Sequence, residues 1–234
     1  MNMNQSLGIL GGLGPLASAE FLKTIYELNV TDLEQEAPNC ILYSDPTFPD
    51  RIDAIQEIAD ELLISLLVKS IESLCQLGVS KVVIVCVTIH YFLPKIPIQL
   101  RKKIISLIDV IIKEVLDKPQ KYLLLCSTGT RQAGIFQNHP QWKMIEQYVS
   151  LPEEKDQIEI QNYIYGIKKN RYKSSMFSYF NTLKHKYQLN GFIAGCTEFH
   201  LLTKYYMEFE DKKQIYKIID PLLIISQQIK IYLN

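Results

Sequence analysis

The chain has 234 residues, 47% of them hydrophobic and 21% charged, with 25 basic and 25 acidic side chains. That length suits one large α/β domain or two domains of about a hundred residues each, and the composition calls for a packed core and excludes a disordered chain. A net charge of zero gives no electrostatic basis for binding nucleic acid or an anionic membrane surface.

In chain order, short apolar runs rich in β-branched residues predict strands at 6–10, 40–44, 82–85, 122–126, 148–151, 192–195 and 215–219. Near-continuous apolar runs of that length suit strands buried on both faces of a parallel sheet. Between them, apolar residues recur with helical spacing over 53–77, 97–116 and 157–187. Strand–helix alternation throughout predicts a doubly wound α/β architecture. The sequence LDKPQK at 116–121 is the best candidate boundary between two halves. The longest apolar run, Leu62 to Val68, is far short of a bilayer span. The opening MNMNQSLGILGG has no basic n-region ahead of a long apolar stretch, so no secretory leader is expected.

The five cysteines are odd in number and form no CxxC pair, which predicts reduced thiols in a cytosolic setting over a disulfide framework. Cys40, Cys75 and Cys126 lie inside apolar patterns and read as core. Cys86 and Cys196 differ. Each ends an apolar run, in KVVIVCVTIH (81–90) and GFIAGCTEFH (191–200), and each is followed by a threonine and, four residues on, by a histidine.

Ligands in open α/β sheets sit beyond the carboxyl ends of the strands. The residues there are GGLGP (11–15), DPTFPDR (45–51), CVTIH (86–90), STGT (127–130), CTEFH (196–200) and DP (220–221). The glycines of the first turn miss the GxGxxG spacing and no Walker lysine follows, so GGLGP reads as a tight strand-to-helix turn, not a nucleotide loop. A cysteine at a helix N-terminus is stabilised as thiolate by the dipole and free N–H groups. With a free-thiol pKa of about 8.5, modest stabilisation would let one form serve as base and the other as acid. Two such thiols at equivalent points of two halves, facing across a cleft, could exchange a proton at opposite faces of one carbon. A Cys2His2 zinc set from Cys86, His90, Cys196 and His200 is the competing reading. It leaves the threonines and Arg51 unexplained, so the histidines read as supports for the thiols or as core.

The ordered motifs SLGILGGLGPLASAEF, DPTFPDR, STGT, IAGCTE and IIDP, with both cysteines, resemble the aspartate/glutamate racemase family of pyridoxal-phosphate-independent amino-acid racemases. The resemblance implies two pseudo-symmetric, Rossmann-like α/β lobes with the active site in the cleft between them. The first would span 1–117, completed by the C-terminal segment 210–234 with its helix from Pro221, and the second 118–209. It implies Cys86 and Cys196 as paired acid and base. Ser127, Thr128, Thr130, Thr88 and Thr197 would bind the substrate's ammonium and carboxylate, beside Gly12 and Leu13. Arg51 and Lys168 would hold a second carboxylate, a task suited to arginine's planar fork. Glu198 and His90 would support the thiols. No cofactor or metal is expected, and the partners would be a small amino acid and a second copy of the chain, with no nucleic acid or membrane.

One departure matters. Where the family reads PCNTAH this chain reads VCVTIH, so Val87 replaces an asparagine and Val85 a proline. A branched apolar group cannot make the asparagine's hydrogen bond. The implied activity is racemisation of aspartate or glutamate. A weakened homologue that binds an amino acid or carboxylate, or a racemase of another carboxylate, stays open.

Overall fold

A computed structural model describes residues 5–56, 60–171, 175–209 and 217–233. Its strands are β1 (Ser6–Gly11), β2 (Asn39–Ser44), β3 (Lys81–Ile84), β4 (Tyr122–Leu125), β5 (Val149–Ser150), β6 (Gly191–Ala194) and β7 (Lys217–Ile219). The helices before β4 are α1 (Pro15–Leu28), α2 (Arg51–Ile55), α3 (Asp60–Gln76), α4 (Ile98–Arg101) and α5 (Leu107–Asp117). After β4 come α6 (Thr128–Gln132), α7 (Trp142–Ile145), α8 (Glu154–Lys168), α9 (Ser175–Lys186), α10 (Phe199–Phe209), α11 (Pro221–Gln227) and α12 (Ile229–Leu233). All seven expected strands form, although 215 and 216 lie outside the described residues.

The chain divides into two units, Met1–Leu107 with Leu222–Asn234, and Ile108–Pro221. In the first, three parallel strands run in the order β2-β1-β3. The central strand SLGILG is buried at every position because the sheet is covered on both faces. Helix α3 buries Leu63, Leu67, Ile71 and Leu74 against this unit's core, which also holds Leu13, Phe48, Val82, Ile84 and Phe92. The C-terminal segment is tied in by Asn29, the residue closing α1. Its side-chain amide donates to Ile25 O at 2.8 Å and to Ser226 O in α11 at 2.9 Å.

In the second unit the order is β5-β4-β6-β7, again all parallel. Its core gathers Phe180, Phe192 and Phe199 with Ile160, Ile164 and Ile167 of α8. Phe180 meets Phe192 at 5.0 Å and Phe199 at 6.3 Å between ring centres, with the rings tilted by 32° and 51°, within the contact range of aromatic pairs. Helices α8 and α9 are clamped at one end. The Asp156 carboxylate accepts from Tyr179 Oη (2.9 Å), Tyr187 Oη (2.5 Å) and Lys186 Nζ (2.6 Å). Burial alone would raise that carboxyl's pKa, but the three donors outweigh it and hold it below the ordinary range.

Three expected helices are interrupted. The span 97–116 breaks because Ile104 pairs with Val82 as a parallel bridge, with Val82 N–H donating to Lys103 O and Ile105 N–H to Val82 O, both at 2.8 Å. The span 157–187 ends its first half where Asn170 turns left-handed, φ 53°, and 172–174 lie outside the described residues. The span 53–77 becomes α2 and α3, with 57–59 outside the description. The unit boundaries also differ from the expected 117/118 and 209/210. The Ile104 bridge and a bond from Leu107 N–H to His90 keep the chain with the first unit up to Leu107. Pairing of Lys217 with Gly191 keeps β7 in the second sheet, so the return to the first unit begins at Leu222.

Candidate active site

In each sheet the chain leaves the central strand toward one side and later returns on the other, so β1/β3 and β4/β6 are topological switch points, where α/β sheets bind ligands. The expected site residues fall at these two places.

At the first switch point, β1 ends in the GGLGP turn. Gly12 sits at φ 90°, and a Cβ there would lie 2.1 Å from Asp45 O in the turn after β2, so only glycine fits. The carbonyl of Leu13 then accepts from Arg51 Nη2 at 3.4 Å, and Pro49 O from Nη1 at 3.4 Å. Arg51 begins α2, whose N-cap Asp50 accepts the N–H of Ile52 at 2.7 Å. The guanidinium is thus seated on the GGLGP turn, half-buried. Leu13 and Cys86 belong to the same apolar cluster.

Cys86 does not begin an α-helix, contrary to the sequence expectation. The chain enters a 3₁₀ turn over Thr88–Lys95, where the ring of Pro94 would clash with the His90 carbonyl in an α-helix. Val87 opens the turn and is 2% exposed; its carbonyl accepts His90 N–H at 3.0 Å. The His90 ring is fully engaged locally. Its Nδ1–H donates to Cys86 O at 3.1 Å, and Nε2 accepts from Leu107 N–H at 2.9 Å, which caps α5. Leu107 N–H can only donate, so the ring proton must sit on Nδ1. Neither nitrogen is left for a metal, and His90 supports the thiol through its own backbone. Among the described residues no side chain bonds the Cys86 thiol.

At the second switch point, Ser127 follows β4 and caps α6. Its Oγ accepts from Thr130 N–H at 3.2 Å and donates to Thr130 Oγ1 at 3.0 Å. Two glutamines of α8, one turn apart, reach this turn. Gln157 Nε2 donates to Cys126 O at 2.9 Å, and Gln161 Oε1 accepts from Thr128 N–H at 2.7 Å. Gln157 Oε1 in turn accepts from Arg131 Nη1 at 3.5 Å, and the same nitrogen donates to Pro152 O at 2.6 Å.

Beside it, β6 runs through Gly195 into CTEFH. A Cβ at Gly195 would lie 2.6 Å from Leu124 Cδ1 of β4, so glycine permits the close approach of the two strand ends. Cys196 Sγ donates to Glu198 Oε2 at 2.8 Å, and Thr197 Oγ1 approaches the same oxygen at 3.5 Å. Lys168, at the C-terminal end of α8, pairs with Glu198 Oε1 at 3.6 Å. Glu198 is only 4% exposed, whereas Lys168 stays partly open to solvent, so the pair is only partly shielded. Behind it His200 Nδ1 donates to Asp220 Oδ2 at 2.7 Å, with both side chains sealed from solvent.

The other thiols are poor candidates. Burial pushes Cys126 up to about 12 and Cys40 up to about 11. Cys126 is core, as its pattern predicts, whereas Cys40 and Cys75 are half-buried. Sequence reasoning missed Gln157 and Gln161. They share a face of α8 with Lys168, four and then seven residues along, and two glutamines one turn apart on a mostly apolar face could have marked them.

Two thiols lie past corresponding strands of two like-ordered parallel sheets, with a threonine-lined turn beside one and an arginine-bearing turn beside the other, in a parallel α/β fold. A sequence model of the Asp/Glu/hydantoin racemase family matches residues 10–227, and the chain belongs to that family. It is an isomerase of the racemase class. Solved structures agree in fold. An aspartate racemase from Picrophilus torridus is 22% identical, with 97% of this chain and 94% of that one covered at a TM-score of 0.76. An aspartate racemase homologue from Pyrococcus horikoshii is 18% identical, covered 98% and 100% at 0.68. A glutamate racemase from Campylobacter jejuni is 17% identical, covered 97% and 85% at 0.58. Among the described residues no helix is long and apolar enough to cross a membrane.

Proposed function

We propose that this chain racemises a free acidic amino acid, aspartate or glutamate, by two-thiol proton transfer that uses no organic cofactor or metal. One thiolate removes the Cα proton, the electron pair delocalises into the substrate carboxylate, and the other thiol returns a proton to the opposite face. Each turnover consumes one proton from one cysteine and deposits one on the other, so the pair ends with its protonation reversed. The observation that carries this reading is the placement of Cys86 and Cys196 after the topologically equivalent strands β3 and β6. Glu198, which accepts a hydrogen bond from the Cys196 thiol, suits the acid–base role of that thiol.

Ser127, Thr128, Thr130, Thr88 and Thr197, with the Gly12–Leu13 turn, would bind the α-carboxylate and ammonium. Arg51 and Lys168 would select a second carboxylate, with Lys168 dividing its charge between substrate and Glu198. The chain would act as a homodimer in a reducing, cytoplasmic compartment, where its thiols stay free. A second reading, binding without efficient turnover, is favoured by one feature: Val87 is apolar and buried where the family's motif carries asparagine.

Solvent-deuterium incorporation at Cα, screened across the amino acids with chelator present and pyridoxal phosphate absent, tests the reading. Exchange with inversion of aspartate or glutamate is the expected result. Saturable binding with no exchange by any amino acid would transfer the assignment to the binding reading.

A further inference from the structure

The two peptide groups flanking Ser127 are both held from α8. The carbonyl of Cys126, in the peptide before Ser127, accepts from Gln157 at 2.9 Å; the N–H of Thr128, in the peptide after it, donates to Gln161 at 2.7 Å. Holding both peptide groups restrains φ and ψ of Ser127, and its hydroxyl is held in turn by the N–H and Oγ1 of Thr130. Gln157 is buried and its carboxamide is engaged on both sides, by Cys126 O and by Arg131, so it cannot swing away cheaply. Gln161 lies one turn further along the same face, and Lys168 two turns beyond that, paired with Glu198 next to Cys196. A single rigid helix therefore bears on the turns after both β4 and β6.

We propose that Gln157 and Gln161 are positioning residues for substrate, holding the Ser127–Thr130 turn in its binding geometry; this rests on the racemase reading above. Neither touches the reacting carbon in this role. Their contribution is preorganisation, which acts on substrate affinity more than on the proton-transfer step.

The experiment compares Gln161→Met, which keeps volume and removes the acceptor, with Gln161→Glu, which keeps an acceptor. Gln157→Met serves as the buried counterpart. Two readouts are taken on the full-length chain: kcat and KM for aspartate and glutamate, and amide hydrogen exchange at Thr128 by NMR. Gln161→Met should raise KM roughly fivefold to tenfold, the worth of about one neutral hydrogen bond, with kcat little changed. It should also lose Thr128 protection, while Gln161→Glu keeps it. An unchanged KM together with an exposed Thr128 amide would overturn the positioning role, because the turn would then bind substrate without its anchor. If the native chain racemises nothing, the racemase reading fails by itself. Thr128 exchange then still decides the anchor: loss in Met and retention in Glu support it, and equal protection in both overturns it.

Discussion

Cys86 and Cys196 follow matching strands of two like-ordered sheets, yet the residue two positions on is Thr88 in the first unit and Glu198 in the second. Cys196 donates to a buried carboxylate, itself paired with Lys168, ahead of an eleven-residue α-helix. Cys86 precedes a 3₁₀ turn and has no side-chain partner among the described residues. The histidines diverge too. His90 binds two backbone groups, whereas His200 binds the buried carboxylate of Asp220. A common topology has thus been given two electrostatic settings, one dominated by charged side chains and the other by backbone dipoles. The two thiols are not expected to be interchangeable.

The sharpest way to break that comparison is to remove each thiol. Cys86→Ser and Cys196→Ser should each cut racemisation by roughly 10²- to 10⁴-fold, the usual worth of a general acid or base. Each variant should retain α-proton exchange from one enantiomer only, and the two should retain opposite ones. Exchange of both enantiomers by either variant would end the two-face mechanism.

Next come the histidines, read by denaturant unfolding. His200→Leu strands a buried carboxylate and should destabilise the fold by about 3 kcal/mol, in the range for breaking a buried charged contact. His90→Leu loses a backbone cap and should cost only about 1 kcal/mol. Equal losses would show that the two settings are energetically alike.

Glu198→Gln keeps the side chain's size but not its charge. We expect turnover to fall by about tenfold to a hundredfold, less than the loss of a thiol, with an altered pH–rate profile. The matching change in the first unit, Thr88→Val, should leave the pH profile in place and act on KM. A pH profile moved equally by both would argue that Glu198 is no special partner of Cys196.

The smallest effect is expected at Val87. Restoring a carboxamide with Val87→Asn should lower KM for acidic amino acids by up to roughly tenfold, the worth of a hydrogen bond to a charged group. A rise in KM, measured alongside the thermal midpoint, would mean that the buried valine serves packing that the amide disrupts.

Much of this was legible in the chain itself. Strands buried on both faces are written as continuous apolar runs, so β1, β3, β4 and β6 stand out without any structure. The candidate site residues stand out because α/β sheets place ligands after strand ends, a rule that needs only the order of elements. The helix interruptions were harder. Ile104 and Ile105 carry the same apolar pattern in a helix or a bridge, and only the neighbouring Val82 selects the bridge.

Sequence by itself determined the family, the seven strands, the two cysteines that end strands and the tight GGLGP turn, because each depends on local pattern. Tertiary structure alone decided that Glu198 accepts a hydrogen bond from Cys196, that His90 caps α5, that His200 meets Asp220, and that Gln157 and Gln161 hold the Ser127 turn. These contacts, apart from the first, join residues 17 to 33 positions apart. Their partners are chosen by how helices lie on a sheet, and hydrogen bonds require that choice to be right within a few tenths of an ångström. Glu198 is near Cys196 in sequence, but its side chain could equally have pointed to solvent; burial in the turn and the charge of Lys168 turned it inward.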